Sequence, residues 1–284
     1  MFIIIGAIIV LAAVIGGFVL SKGHLAALWQ PNELIVIGGA ALGAFLTSNP
    51  AKLIKSVFAC VPSVLKGSPY DKAMYMDLLS LLYQLFNKAR KDGLMSLESH
   101  IDEPEASEIF SGYPKILANH HAIDFMTDYV RLMVSGNLDI HQVENLMDVE
   151  LETHHSESGL AAGALTKVSD GLPGFGIVAA VLGVVITMGH IGGPPAELGH
   201  HVGAALVGTF LGILMAYGFV GPFASAMEHL AREETKFLEC IKICLLASMN
   251  GYSPALVVEF GRKVLFSTER PSFRELEDRV KEKK

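Results

Sequence analysis

Four stretches of this chain, Met1–Ser21, Leu34–Ala51, Gly171–Gly189 and Val202–Met227, contain no Asp, Glu, Lys or Arg. They form two pairs, split by a long charged block. A helix that is apolar on every side must be buried or lie in lipid. A bilayer core of ~30 Å takes roughly 20 apolar residues as helix. The first, third and fourth stretches meet that length, and the second is shorter. The expected fold is all-α: a polytopic membrane protein with four transmembrane helices and a helical cytoplasmic domain. Spans are placed at 1–21, 34–50, 171–190 and 202–227, with short links at 22–33 and 191–201. The cytoplasmic parts are placed at 51–170 and 228–284.

The overall mean hydropathy of +0.43 averages two kinds of sequence, because the charged block and tail read as ordinary soluble protein. The first stretch has no positive n-region and no small-x-small cleavage site, so it reads as a retained span. Of 22 basic residues, only Lys22 falls in the links Lys22–Glu33 and His190–His201. By the positive-inside rule the block, the tail and both termini face the cytoplasm. A net charge of -7 argues against nucleic acid as a partner. Cys60, Cys240 and Cys244 form no CxxC pattern and are expected to be small buried hydrophobes rather than metal ligands.

Local signals give the helix ends. Gln30-Pro31-Asn32 is expected to be a turn ahead of a span that runs to Leu46, and Thr-Ser-Asn-Pro50 ends it. Ala51–Leu65 is expected to be helical, with a bend at Pro62. Asp71–Lys91 places Met74, Leu78, Leu81, Leu82 and Leu85 on one face, and Asp92-Gly93 stops it. Short helices are expected from Ser96 and over Glu105–Phe110, then a longer one over Ala122–Val134 ending at Gly136-Asn137. Asp139–Asp170 reads as one polar helix feeding the third span. The fourth span is expected to continue to Asn250-Gly251. Ser253-Pro254 opens a further helix, and Ser272-Phe273-Arg274-Glu275 is a capping box.

The spans hold glycines at packing intervals: Gly39 and Gly43, Gly208 and Gly212, Gly176 and Gly183. Their polar side chains are hydroxyls, Thr47, Thr187, Thr209 and Tyr217 among them. Pumps carry ionisable relay groups inside the bilayer. A hydroxyl can line a path or ligate a cation but stores no proton near neutral pH. Ion transport by this chain therefore needs a carboxylate from a partner. Pro173 and Pro222 are expected at matched depth near the cytoplasmic ends of spans three and four. Each lacks an N–H, freeing the carbonyls of Ser169 and Gly218, and each invites a kink.

Several long colinear motifs then become recognisable. They are AMYMDLLSLLYQLFNKAR (73–90), SEIFSGYPKIL (107–117), LPGFGIVAAVLGVV (172–185), VGTFLGILMAYGFVGP (207–222) and NGYSPALVVEFGRK (250–263). In these the chain resembles the MotA family of flagellar stator A subunits, within the MotA/TolQ/ExbB proton channels. The resemblance implies a stator subunit, not an enzyme, with no cofactor. It implies a ring of five A subunits around two MotB-type B subunits in the bacterial inner membrane. The B subunit brings an intramembrane Asp and a peptidoglycan anchor, and protonation of that Asp drives torque on the rotor protein FliG.

By the same resemblance, Arg90 and Glu98 match the charged pair that engages FliG. Pro173 and Pro222 match the prolines that couple protonation to movement, and Thr209 matches a hydroxyl on the ion path. Sodium-driven relatives carry a threonine where this chain has Ala180, so the resemblance favours protons. Glu150 and Asp128 read as solvated acids. His120-His121, His154-His155 and His200-His201 are not chelates as pairs, since neighbouring residues on a helix point about 100° apart, and metal binding is not expected. The alternative is an ExbB/TolQ-type energiser of an outer-membrane system, whose members have three spans and lack the Arg90/Glu98 block. No nucleophile–base pair or phosphate loop supports an enzyme.

Overall fold

The structure is a computed structural model and describes residues 2–136 and 139–282, so the expected end of one helix at Asn137 lies outside it. Thirteen helices are seen and no strand among the described residues. Four helical segments are long and apolar enough to cross a membrane: Phe2–Leu20, Leu25–Ser48, Ile140–Met188 and Pro195–Met249.

The chain divides into two compact units, Met1–Gly67 with Glu157–Leu230, and Ser68–Ser156 with Ala231–Lys284. The boundary differs from the expected block at 51–170. Helix α3 (Ala51–Lys66) is grouped with the spans, because its Val57 and Val64 join a cluster with Phe45, Ala161 and Met227.

In the first unit, α1 (Phe2–Leu20) buries none of its side chains in the chain itself. Helix α2 (Pro31–Ser48) begins where a turn was expected. Pro31 stands at the first helical position, where its fixed φ suits a helix and its missing N–H costs nothing. Glu33 falls in the first turn, on the favourable side of the helix dipole. Helix α9 (Ile140–Met188) runs 49 residues through Pro173 without interruption. Helix α10 (Pro195–Met215) passes into a π-turn, Ala216–Val220, and continues as α11 (Gly221–Met249). The expected kink at Pro222 is thus resolved as a wide turn just before the proline.

The second unit has its own core. Helix α4 (Lys72–Asp92) is capped by Asp71, whose Oδ1 accepts the Met74 N–H at 2.7 Å. Its Leu78, Leu79, Leu81, Leu82 and Leu85 are all fully buried. Gly93, at φ +87°, ends α4 in a conformation that favours glycine. A 3-10 turn, Leu94–Leu97, then leads into α5 (Glu98–Asp102). The single helix expected over Glu105–Phe110 is split into a 3-10 turn at Pro104–Ala106 and α6 (Glu108–Ser111), because Ser107 caps the second piece. After α7 (Pro114–Leu117) come α8 (His120–Ser135), closed by left-handed Gly136, α12 (Pro254–Val264) and α13 (Phe273–Glu282). Ser253 precedes α12 but its side chain caps nothing. The capping box at Ser272 is made in both directions: Ser272 N–H donates to Glu275 Oε2 at 2.6 Å and Glu275 N–H to Ser272 Oγ at 3.2 Å. Cys240 and Cys244 are buried against the carbonyls of Gly261 and Val257.

Candidate functional site

The first candidate site is the seam between α9 and α10, made by glycines meeting backbone. A Cβ on Gly212 would stand 2.7 Å from the Leu172 carbonyl oxygen and 2.9 Å from the Cα of Gly176. One on Gly176 would stand 3.0 Å from the Gly208 carbonyl oxygen and 3.3 Å from the Cα of Thr209. One on Gly208 would reach Ala179 at 3.2 Å and the amide of Ala180 at 3.4 Å. Ala180 and Thr209 thus flank one crossing. By contrast, a Cβ on Gly39 or Gly43 would meet nothing within 4 Å. Thr47, Thr166 and Thr187 return their hydroxyls to the carbonyl four residues back. Among the described residues, Thr209 makes no such bond.

Glu33 also reaches this seam. Its Oε2 is buried without a partner, 2.9 Å from where a Gly208 Cβ would be. A span region without any carboxylate was expected, because the sequence places Glu33 in a link. The early start of α2 brings it inside. Its signal in the sequence was the Pro31-x-Glu33 spacing, a helix opening rather than a turn.

A third contact sits at the level of the two prolines. Ser169, buried, donates its hydroxyl to the carbonyl of Ala216 at 3.0 Å. The same carbonyl accepts the N–H of Gly221, which closes the π-turn. Pro173 lies one turn beyond Ser169 on α9, and Pro222 follows Gly221. A Cβ on Gly221 would stand 3.0 Å from both the Ser169 hydroxyl and the Ala216 carbonyl, so glycine is what lets the two helices meet there. The contact joins the helices that carry both prolines. π-turns of this kind recur at functional sites.

The second candidate site lies in the other unit. Arg90 lies in the last turn of α4 and Glu98 begins α5, both exposed and neither in an ion pair among the described residues. They are held by buried neighbours, Phe86 below Arg90 and fully buried Leu97 beside Glu98. Some nearby charges are paired: Lys88 with Asp92 at 3.3 Å, and Arg131 with Asp102 at 3.0 Å and with Asp128 at 3.2 Å. Arg90 also lines a cleft of about 550 Å³ with Leu94, Leu132, Met249 and Tyr252. Glu150 is not a bare solvated acid, since it accepts the Tyr129 hydroxyl at 2.7 Å. Burial, then that bond to a carboxylate, pushes the Tyr129 phenol above its ordinary range.

Comparison with known proteins agrees with this layout. Residues 4–93 match the family described as Motility protein A N-terminal, and residues 118–240 match the MotA/TolQ/ExbB proton channel family. A Motility protein A of Salmonella typhimurium is 51% identical over 281 residues, covering 99% of this chain and 95% of the relative. The flagellar MotAB stator complex from Bacillus subtilis holds a chain that matches with a TM-score of 0.76 at 25% identity, covering 97% of this chain and 98% of that one. A chain of C. jejuni MotAB shares the fold with a TM-score of 0.80 at 19% identity, over 95% of this chain and 98% of that one. With a relative of this identity along nearly its whole length and both halves matched, the chain belongs to the motility protein A family, within the MotA/TolQ/ExbB proton channels.

Proposed function

We propose that this chain is the A subunit of a flagellar stator, which with a MotB-type subunit forms a proton-conducting complex of the inner membrane and turns ion-motive force into torque. The observation that carries the reading is the seam at Gly176, Gly208 and Gly212. It carries the small Ala180 and Thr209, whose hydroxyl makes no bond to the carbonyl four residues back among the described residues. Such a wall suits a path completed by a titratable group on a neighbouring helix. The neighbour is the B subunit's intramembrane Asp, and Glu33 is this chain's own carboxylate at the seam. Ala180 offers no hydroxyl, so the wall has few ligands for a hard cation and favours protons. Each elementary charge crossing releases ~2.3 kcal/mol per 100 mV of membrane potential.

Pro173, Pro222 and the Ser169–Ala216 bond form the coupling element in this reading. Arg90 and Glu98 act on FliG, with the cleft beside Arg90 available to a rotor side chain. The assembly is five A subunits around two B subunits in lipid, both termini cytoplasmic. The bare apolar face of α1 and the open Gly39/Gly43 face support contacts outside the subunit. The ExbB/TolQ-type alternative is disfavoured by the N-terminal match at residues 4–93, which is to motility protein A.

Expression of this chain alone is expected to give vesicles with no proton uptake, and co-expression with a B subunit to give uptake. Uptake by the A subunit alone would overturn the partner-carboxylate reading. Reversing both charges, Arg90→Glu with Glu98→Lys, is expected to abolish swimming while the A/B complex still assembles. Normal swimming by that variant would remove the rotor contact from these residues.

A further inference from the structure

Two of the three histidine pairs in the sequence meet across helices. His121 stands at the start of α8 and His154 on α9, and their rings meet edge to face with centroids 5.5 Å apart. Between them sits Glu234 of α11. Its Oε1 lies 2.9 Å from His121 Nδ1 and 3.5 Å from His154 Nε2. One ligand atom from each of the three residues falls within a group no wider than 4.8 Å. Each pair gives one ring to this group, which removes the objection that adjacent histidines on one helix diverge. We propose that His121, His154 and Glu234 form a binding site for a divalent transition-metal ion of the zinc class, with water completing the coordination.

The chemistry of the donors fits. Two neutral imidazoles and one carboxylate are the set that zinc takes at sites with an open fourth position, and imidazole selects such ions over Mg²⁺ or Ca²⁺. The three donors come from three helices of one compact unit, so their spacing is set by the core. His154 is about four-fifths buried and Glu234 nearly so, while His121 is two-thirds exposed, which leaves an entry path from water.

Without an ion the cluster is poorly satisfied. His154 and His121 converge on a single carboxylate oxygen, the His154 contact is long, and His154 Nδ1 is buried with no partner. Glu233 has a buried oxygen without a partner as well. Tyr70 is pushed above its usual range, by burial first and then by the charge of Glu234 and Glu233.

The test is zinc titration of the full A/B complex, carrying no histidine tag, against a competing chelator, with Co²⁺ as a spectroscopic probe. One Zn²⁺ per A chain is expected, and Co²⁺ should show the visible absorption of a nitrogen- and oxygen-ligated, low-symmetry site. His154→Ala and Glu234→Gln should each weaken binding by roughly 100-fold or more, since even outer-shell changes cost ~10–100-fold. His121→Ala, at an exposed position, should do the same in a complex that remains folded. His120→Ala should bind as the wild type. The triple change His190→Ala, His200→Ala and His201→Ala should also retain binding, which excludes the histidines just after α9 and in the first turns of α10. Absence of binding in the wild type would overturn the assignment. So would undiminished binding in His121→Ala, or loss confined to the triple variant.

Discussion

The two units solve the burial problem in opposite ways. In the unit built on α4, leucines at 78, 79, 81, 82 and 85 are shut away entirely. Ion pairs such as Lys242–Asp148 at 2.5 Å and Arg279–Asp77 at 2.9 Å tie its surface. In the unit built on the spans, α1 buries nothing in its own chain. Ile177, Val178, Val181, Leu182 and Val185 of α9 are all about half exposed. Where α9 crosses α10 the contact is glycine against backbone, and the larger side chains gather in small clusters such as that of Phe45, Val57 and Met227. One unit is complete as a folded object. The other leaves apolar helix faces open, as segments do that meet lipid or neighbouring helices.

That contrast can be broken most directly at its strongest point. Leu82→Ala should cost about 2–5 kcal/mol of stability in the second unit, read as a lower denaturant midpoint of the complex in detergent. Ile9→Ala on exposed α1 should shift it hardly at all. Equal losses would mean that α1 is packed as firmly as α4. Next in size, Gly212→Val should cost about 1–3 kcal/mol or more through overpacking against Leu172 and Gly176, seen as reduced yield of the assembled complex. Gly39→Val, which meets nothing within the subunit, should leave the subunit intact. If it instead prevents assembly with further copies or with the B subunit, the open face is an interface, and the contrast between the units sharpens.

Ser169→Ala removes one buried hydroxyl bond, worth about 0.5–1.5 kcal/mol. It is expected to lower motor speed at high load while the complex still forms. Unchanged speed would remove the Ser169–Ala216 contact from the coupling element. The smallest effect concerns pH. Glu275, held by Lys72, by the Ser272 N–H and by its hydroxyl, titrates at about 2 against an ordinary 4.5. A carboxyl with a depressed folded-state pKa contributes stability that is complete above its unfolded pKa. The contribution is lost as pH falls from there through the folded value. Helix α13 should therefore loosen between about pH 4.5 and pH 2, and Glu275→Gln should remove that part of the acid response in circular dichroism.

Much of this was legible in the sequence because it is local. Charge-free runs announced the spans, and Asp71, Gly93, Gly136 and Ser272 announced starts and stops of the helices α4, α8 and α13. Arg90 and Glu98 could be placed at helix boundaries because Asp92-Gly93 stops one helix before the other begins. What escaped depends on which helix meets which. Pro31 reads equally as a turn or as a first helical residue, and only the helix start carried Glu33 to Gly208. Pro222 predicted a kink, and a π-turn stands just upstream, where Ser169 from another helix bonds the Ala216 carbonyl. The histidine pairs showed nothing as pairs, since the partners of His121 and His154 lie on other helices.

The π-turn at Ala216–Val220 has a further meaning as geometry. A turn that closes at five residues holds one more residue than the α-helical turns on either side. Returning it to α spacing would swing whatever follows by about 100° and advance it by about 1.5 Å. The chain therefore stores, in five residues beside a proline that has no N–H to re-pair, a ready-made increment of rotation.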